Sequence, residues 1–448
     1  MTKTKILFSC QACGYQAYKW IGRCPDCGEW NSFVEERETA RRTSRMPVRS
    51  EPVSLHAIPM DQEERTEIGL AEMDRVLGGG LVKGSVILIG GDPGIGKSTL
   101  LLQLTELLSR KGEKVLYVTA EESIRQVKIR ADRLGLSSGN LKILSENSLE
   151  AIMGVIAELS PDVIVIDSVQ TVYTDQIQSA PGSVSQVRDV AGELTQLAKK
   201  QNLSVFLIGH VTKDGSIAGP RVLEHMVDTV LYFEGDKGHV FRIIRTMKNR
   251  FGSTQEIGVF EMTESGLAEV SNPSEIFLSE RPSAVPGSVV VASMEGTRPI
   301  LVELQALVSA VEYGVPRRMT TGVDKNRVNL LVAVLEKRVG IPLHSQDIFV
   351  NVVGGITLSE PASDLGIVTA VVSNFRGIPI EEKTLLFGEV GLGGEVRAVS
   401  RPQARIREAV KLGFQRCVLP RRSLPEAEGL GMEVIGVDSV TELLDIIV

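Results

Sequence analysis

The sequence predicts an α/β fold: a parallel sheet buried between helical layers, preceded by a small metal-clasped module and followed by a second mixed α/β unit. Three observations predict it. From about residue 56 to 270, short apolar runs rich in β-branched residues alternate with helical patterns, as in strands covered on both faces. Four of the five cysteines fall within the first thirty residues, in two Cys-x2-Cys pairs. The stretch SNPSEIFLSERPSAVP at 271–286 carries three prolines and breaks the pattern before a further α/β region. Scarce aromatics (4%) and 43 glycines suit α/β layers joined by tight turns.

The expected domains are a four-cysteine zinc finger at 1–34, a linker at 35–55, a nucleotide-binding α/β domain at 56–272 and a second α/β domain at 273–448. Cys10, Cys13, Cys24 and Cys27 give each edge of a tetrahedral zinc ion one pair of thiolates, with Gly14 and Gly28 placed for the knuckle turns. Four thiolates fill the shell, so the ion is expected to be structural and to supply the folding energy of a segment too small for a core. Cys417 stands alone in FQRCVLP and reads as a core residue. Residues 35–54 hold Arg37, Arg41, Arg42, Arg45 and Arg49 with little apolar content, either a solvated tether or a nucleic-acid contact.

GSVILIGG (84–91) reads as the first buried strand, and KSTLLLQLTELLSRKG (97–112) as a helix ending on glycine. KVLYVTAEE (114–122), PDVIVIDS (161–168) and SVFLIGH (204–210) are further strands. In 229–252 two strand-like runs flank EGDKG, which predicts an antiparallel hairpin ending the sheet.

Between the first strand and its helix lies Gly91-Asp92-Pro93-Gly94-Ile95-Gly96-Lys97-Ser98-Thr99, the P-loop pattern in the context it requires. Backbone N–H groups of such a loop cradle the phosphates of ATP, Lys97 reaches the β/γ-phosphates, and the Ser98 hydroxyl ligates Mg2+. Asp167, ending DVIVID, is the carboxylate expected beside that Mg2+. Glu121, with Glu122 as rival, closes the neighbouring strand and is placed to activate the attacking water. His210 closes the fourth strand, either as a γ-phosphate sensor or as a strand-end cap. Net charge of −7 gives no bulk signal for nucleic acid, so any such contact needs a local basic surface. No export signal or membrane-length apolar run is seen, and the expected setting is cytoplasmic, without membrane.

Taken in order, the P-loop, TAEE, VIVIDS, LIGH and KNRFG resemble the RecA-type ATPase core. With the four-cysteine module and GTRPILVELQALV (296–308), the whole chain resembles the bacterial RadA (Sms) family of DNA repair proteins. That resemblance implies a DNA-stimulated ATPase and ring helicase, a hexamer as in the related helicases, acting with RecA in branch migration on single-stranded and branched DNA. It implies that KNRFG, residues Lys248, Asn249, Arg250, Phe251 and Gly252, lends Lys248 and Arg250 to a neighbour's γ-phosphate in trans. A solvated turn and a direct DNA contact are the alternatives. In the RecA-like plan, loops at about 170–188 and 211–224 face a central channel, with Arg188, Lys213 and Arg221 as DNA-contact candidates.

GGITLSEPASDLGIVTAVVS (354–373) resembles the proteolytic domain of Lon, with the closest similarity over about 347–448. Where Lon carries its serine stands Asp364, with Ser363 one register away; the Lon lysine falls near Gln403. Neither dyad partner is in place, so this domain is expected to be an inactive, ring-forming scaffold. Arg397, Arg401, Arg405 and Arg407 form either a basic surface or salt-bridged surface groups. The rival reading is a nucleotide-switched scaffold or signalling ATPase of the KaiC type, without DNA translocation.

Overall fold

The computed structural model describes residues 5–11, 14–38, 54, 64–209, 222–235, 241–254, 256–311, 314–427 and 429–447. They divide into two compact units, with the boundary between Glu269 and Val270.

The N-terminal module is a three-stranded antiparallel sheet of β1 (Lys5–Cys10), β2 (Gln16–Ala17) and β3 (Phe33–Glu38), in the order β2-β1-β3. Lys5 pairs with Glu38 and Cys10 with Phe33, so residues 35–38, assigned to the linker from their charge, are strand. Buried Cys10, Cys24 and Phe33 form a core too small to hold the module unaided.

The rest of the first unit begins with β4 (Arg65–Thr66), α1 (Ala71–Leu77) and β5 (Leu81–Val82). Then come β6 (Val86–Gly91), α2 (Lys97–Arg110), β7 (Val115–Thr119), α3 (Ile124–Arg133), β8 (Leu141–Ser145), α4 (Leu149–Leu159) and β9 (Val163–Asp167). The series continues with α5 (Val184–Gln201), β10 (Ser204–Ile208), α6 (Val222–Met226), β11 (Thr229–Glu234), β12 (Phe241–Asn249), β13 (Ile257–Thr263) and β14 (Gly266–Glu269). Nine strands form one sheet in the order β14-β13-β12-β11-β6-β10-β9-β7-β8. From β11 to β8 every pairing is parallel. Alternation splits the strand residues between two cores: Ile87, Ile89, Tyr117 and Val165 pack with α2, while Val86, Leu88, Val118 and Ile164 pack with α4 and α5.

The expected hairpin is present, β11 pairing antiparallel with β12, but it does not end the sheet. β13 pairs with β12, and β14 with β13. With Gly258, Glu261 and Thr263 in β13 and only four residues in β14, these two strands lack the continuous apolar run that marks the parallel strands.

The second unit contains α7 (Pro273–Leu278), β15 (Ser288–Glu295), β16 (Arg298–Ala310), β17 (Arg318–Thr321), α8 (Lys325–Val334) and β18 (Gln346–Val352). It continues with α9 (Asp364–Arg376), β19 (Thr384–Leu386), β20 (Glu389–Val390), β21 (Val396–Arg397), α10 (Pro402–Lys411), β22 (Arg416–Pro420), α11 (Leu424–Ala427), β23 (Glu433–Val437) and α12 (Val440–Ile447). Its seven-stranded mixed sheet runs β17-β18-β16-β15-β19-β22-β23, and α9 packs across β15 and β16.

Candidate active site

Parallel strands place their C-terminal ends on one edge, where the candidate residues collect. Gly91 ends β6 and Asp167 ends β9; Thr119, ending β7, is in register with Asp167. Two P-loop glycines are required by close approach. A Cβ at Gly91 would lie 2.7 Å from the Phe233 carbonyl oxygen, and one at Gly96, where φ is 119°, would lie 2.8 Å from Met262 Cε.

Lys97 is buried, and its Nζ donates to the carbonyls of Gly91 (2.7 Å) and Asp92 (2.8 Å). Burial lowers its pKa, opposed by the negative charges of Asp167, Asp92 and Glu121. The Ser98 hydroxyl hydrogen-bonds Asp167, and Tyr117 Oη donates to Asp167 Oδ2 at 2.6 Å. Burial pushes the Asp167 carboxyl above the usual range; these two hydrogen bonds pull it back. A hydroxyl beside a nearly dehydrated carboxylate fits a hard divalent cation with oxygen ligands.

The two candidate glutamates have separate partners. Glu122 Oε1 accepts from Arg130 Nη2 at 2.6 Å, and its backbone is bracketed by the Thr119 hydroxyl. Glu121 accepts from the Ser168 hydroxyl, next to Asp167. Glu122 is thus tied to α3 through Arg130, and Glu121 to Ser168 beside Asp167. Arg242, near the start of β12, donates from Nε to the Ile95 carbonyl at 3.2 Å, so this strand touches the P-loop. Tyr117, Ser168, Arg130 and Arg242 escaped the sequence reading; the one signal was a phenol inside the apolar run VLYVT.

KNRFG lies at the opposite edge of the sheet. Asn249 pairs with Thr229, which pairs with Ile87, four residues before Gly91. That is roughly 13 Å along the strand, and Arg250 lies beyond it. The segment is firmly held. Lys248 Nζ donates to the carbonyls of Glu224 (2.7 Å) and Val227 (2.8 Å). Its pKa is lowered by burial and by Arg250. Buried Asn249 donates to the Leu77 carbonyl at 3.2 Å, and Arg65 donates to the Phe251 carbonyl at 2.6 Å. Arg250 Nη1 meets Asp228 Oδ1 at 3.3 Å while the side chain stays 52% exposed. Lys248 is therefore an anchor, and Arg250 presents its guanidinium outward.

In the module, the Sγ atoms of Cys10, Cys24 and Cys27 lie within 4.8 Å of one another, and Cys10 and Cys27 are 3.7 Å apart. Two thiolates bound tetrahedrally at a Zn–S distance near 2.3 Å are about 3.8 Å apart, so the cluster fits zinc. Both knuckles close alike: Gly14 N–H donates to the Cys10 carbonyl (2.8 Å) and Gly28 N–H to the Cys24 carbonyl (3.0 Å), each glycine at positive φ. Cys13, the fourth expected ligand, lies outside the described residues, as do His210, Lys213 and Arg221.

Arg188 does not belong to a loop. Ser183 caps α5, which starts at Val184, and Arg188 is exposed on its second turn. The loop before it is gathered by Gln186, whose Nε2 donates to the carbonyls of Thr174, Ile177 and Ser179, each at 3.1 Å.

In the second unit Asp364 is fully buried and accepts a forked pair of hydrogen bonds from Arg327, with Val390 N–H at 3.0 Å. The carboxylate holds the Arg327 guanidinium charged. Ser363 Oγ donates to the Glu360 carbonyl at 3.0 Å, and Gln403 is exposed on α10. The expected arginine surface is corrected at Arg405. It is 0% exposed, pairs with Glu360 and donates to the Ala292 carbonyl at 2.6 Å, because α10 turns this face into the core. Arg397 pairs with Glu395. Cys417 is buried, and burial raises its thiol pKa far above the usual range. Among the described residues, no helix is long and apolar enough to cross a membrane.

Residues 66–274 match the KaiC ATPase family, 8–35 the rubredoxin metal-binding domain, and 333–448 the C-terminal proteolytic domain of Lon protease. A KaiC-like protein from Pyrococcus horikoshii aligns over 46% of this chain and 99% of its own, with 21% identity and a TM-score of 0.39. The DNA repair protein RadA of Bacillus subtilis is 55% identical over 452 residues, covering 99% of each chain. That of Listeria monocytogenes is 50% identical over 453 residues, covering 99% of this chain and 98% of its own. With such identity over nearly its entire length, the chain belongs to the RadA family of DNA repair proteins.

Proposed function

We propose that this protein is a DNA-stimulated ATP hydrolase that works as a ring, hexameric as in related helicases, and drives branch migration of recombination intermediates together with RecA. The observation that carries this reading is the position of Arg250. It stands half exposed at the sheet edge opposite its own P-loop, held by Asp228, so it serves a phosphate on another copy.

When bound, ATP supplies the phosphoryl group, and magnesium adds positive charge that draws electrons from it. Loop N–H groups of 91–99 hold the phosphate oxygens. Lys97 shifts its ammonium from the Gly91 and Asp92 carbonyls to the β/γ-oxygens. Ser98 and Asp167 hold the cation. Glu121, fixed by Ser168, takes a proton from water as its oxygen bonds phosphorus and the β–γ bridge oxygen leaves with its electron pair. His210 senses the γ-phosphate. Arg250 of a neighbour stabilises the charge that develops, with Lys248 fixing the segment that carries it. The loop before α5, with Arg188 on the helix that follows it, and the segment 211–224, with Lys213 and Arg221, track DNA phosphates. Cys10, Cys13, Cys24 and Cys27 hold one structural zinc. The second unit hydrolyses no peptide bonds, because Asp364 stands ion-paired at the nucleophile position and Gln403 at the lysine's.

The test measures ATP turnover with and without single-stranded DNA for wild type, Arg250→Ala and Lys248→Ala, with assembly and DNA binding followed alongside. DNA is expected to stimulate the wild type. Arg250→Ala is expected to assemble and bind DNA yet lose about a thousandfold in turnover. Turnover indifferent to DNA, with a normal Arg250→Ala, would instead support the KaiC-type nucleotide switch.

A further inference from the structure

The chain has two tryptophans, Trp20 and Trp30, and both lie in the cysteine module. Neither is in a core: they are 54% and 66% exposed, with Tyr18 nearby in sequence at 77%. Their rings approach one spot of bare backbone. A Cβ at Gly22 would lie 3.7 Å from Trp20 and 4.0 Å from Trp30. That backbone is held in place, since Arg23 and Trp30 form an antiparallel bridge and Asn31 N–H donates to the Gly22 carbonyl at 2.8 Å. A cation is fixed there as well. The Arg23 guanidinium lies 5.7 Å from the Trp30 ring centre, and its Nε donates to the Gly28 carbonyl at 3.0 Å.

Two large aromatic faces left in water on a rigid frame mark a binding surface. The local charge selects the occupant. YKWIGR, residues 18–23, holds Lys19 and Arg23 and no acid, whereas Asp26 and Glu29 belong to the second knuckle. Flat indoles beside the fixed Arg23 guanidinium and the Lys19 charge complement unpaired bases on a phosphate backbone. A duplex keeps its base faces stacked and offers none to an indole.

We propose that the face formed by Trp20, Gly22 and Trp30 binds single-stranded DNA, with bases stacked on the indoles and phosphates beside Lys19 and Arg23. This goes beyond the ring-motor reading and needs neither Arg250 nor assembly.

Because both tryptophans sit on this face, tryptophan emission of the zinc-loaded full-length protein reports it alone. The experiment titrates that protein with oligothymidylate while anisotropy of a labelled oligothymidylate reports total binding. Expected are saturable quenching that salt weakens, and affinity lowered about tenfold by each of Trp20→Ala and Trp30→Ala. Zinc content confirms that the variants stay folded, and Trp20→Phe, which keeps a stacking face, is expected to recover much of the binding. Unchanged emission while the labelled strand binds normally overturns this site and leaves the motor reading standing. Emission that responds to a protein partner and not to DNA also overturns it. No binding of the labelled strand at all overturns both.

Discussion

Asp167 loses nearly all its solvent when the parallel sheet is covered, and that loss governs its chemistry. Its pKa is raised by burial, so the folded protein takes up a proton there more readily than the unfolded chain. Above the folded pKa the ionised carboxylate costs stability; that stability returns as pH falls through the folded value towards the unfolded one. The proposed function runs the other way, because a carboxylate that holds a cation must be ionised. Tyr117 donates a hydrogen bond that favours the anion. Tyr117→Phe is therefore expected to move the acid limb of ATP turnover to higher pH while leaving the rate on the alkaline plateau within a few-fold. An acid limb that stays put would show that another group controls it. The P-loop and Asp167 were legible from sequence because their chemistry is written in consecutive residues. Tyr117 was not, since its partner lies fifty residues away and the residues on either side of it, Leu116 and Val118, are apolar.

At the level of elements, a helix end and a loop are coupled through one side chain. Gln186, in the first turn of α5, is buried and satisfies three carbonyls of the loop before it, while its Oε1 accepts from Thr174 N–H at 2.9 Å. Gln186→Glu keeps the shape and the acceptor and removes every donor. It is expected to cost about 2 kcal/mol in denaturant unfolding, to open 174–182 to proteolysis, and to lower DNA stimulation of turnover more than basal turnover. Equal loss of both rates would mean that the loop acts only as structure. The parallel strands could be read from sequence, each being a continuous apolar run. The start of α5 and the strands β13 and β14 escaped the sequence reading, although the Ser183 cap and the β13–β14 turn are local, because no continuous apolar run marks them.

Across the whole molecule, both units bury charge. In the first, Lys97 and Asp167 are buried at the C-terminal edge of the parallel strands. In the second, the buried charges are held by ion pairs. Arg405 and Asp364, which looked from the sequence like a surface cation and a vestigial site, are fully covered and paired with Glu360 and Arg327. No periodicity reveals this, for the partners come from other elements. The pair Arg327–Asp364 is asymmetric: Arg327 keeps 31% of its side chain in solvent and Asp364 none. Removing the acid leaves a cation that water can reach, whereas removing the arginine leaves a dehydrated carboxylate. Arg327→Met is therefore expected to cost about 3–5 kcal/mol at neutral pH, and less in acid, where Asp364 takes up a proton. Asp364→Asn, which can still accept from Val390 N–H, is expected to cost less. The double variant Arg327→Met/Asp364→Asn is expected to recover much of the loss. Urea unfolding at two pH values, with hydrogen exchange over 364–376 to locate the damage, measures all three. If Arg327→Met is equally damaging at both pH values and the second change rescues nothing, then Arg327 acts through packing of its stem, and the charge of Asp364 is incidental to the fold.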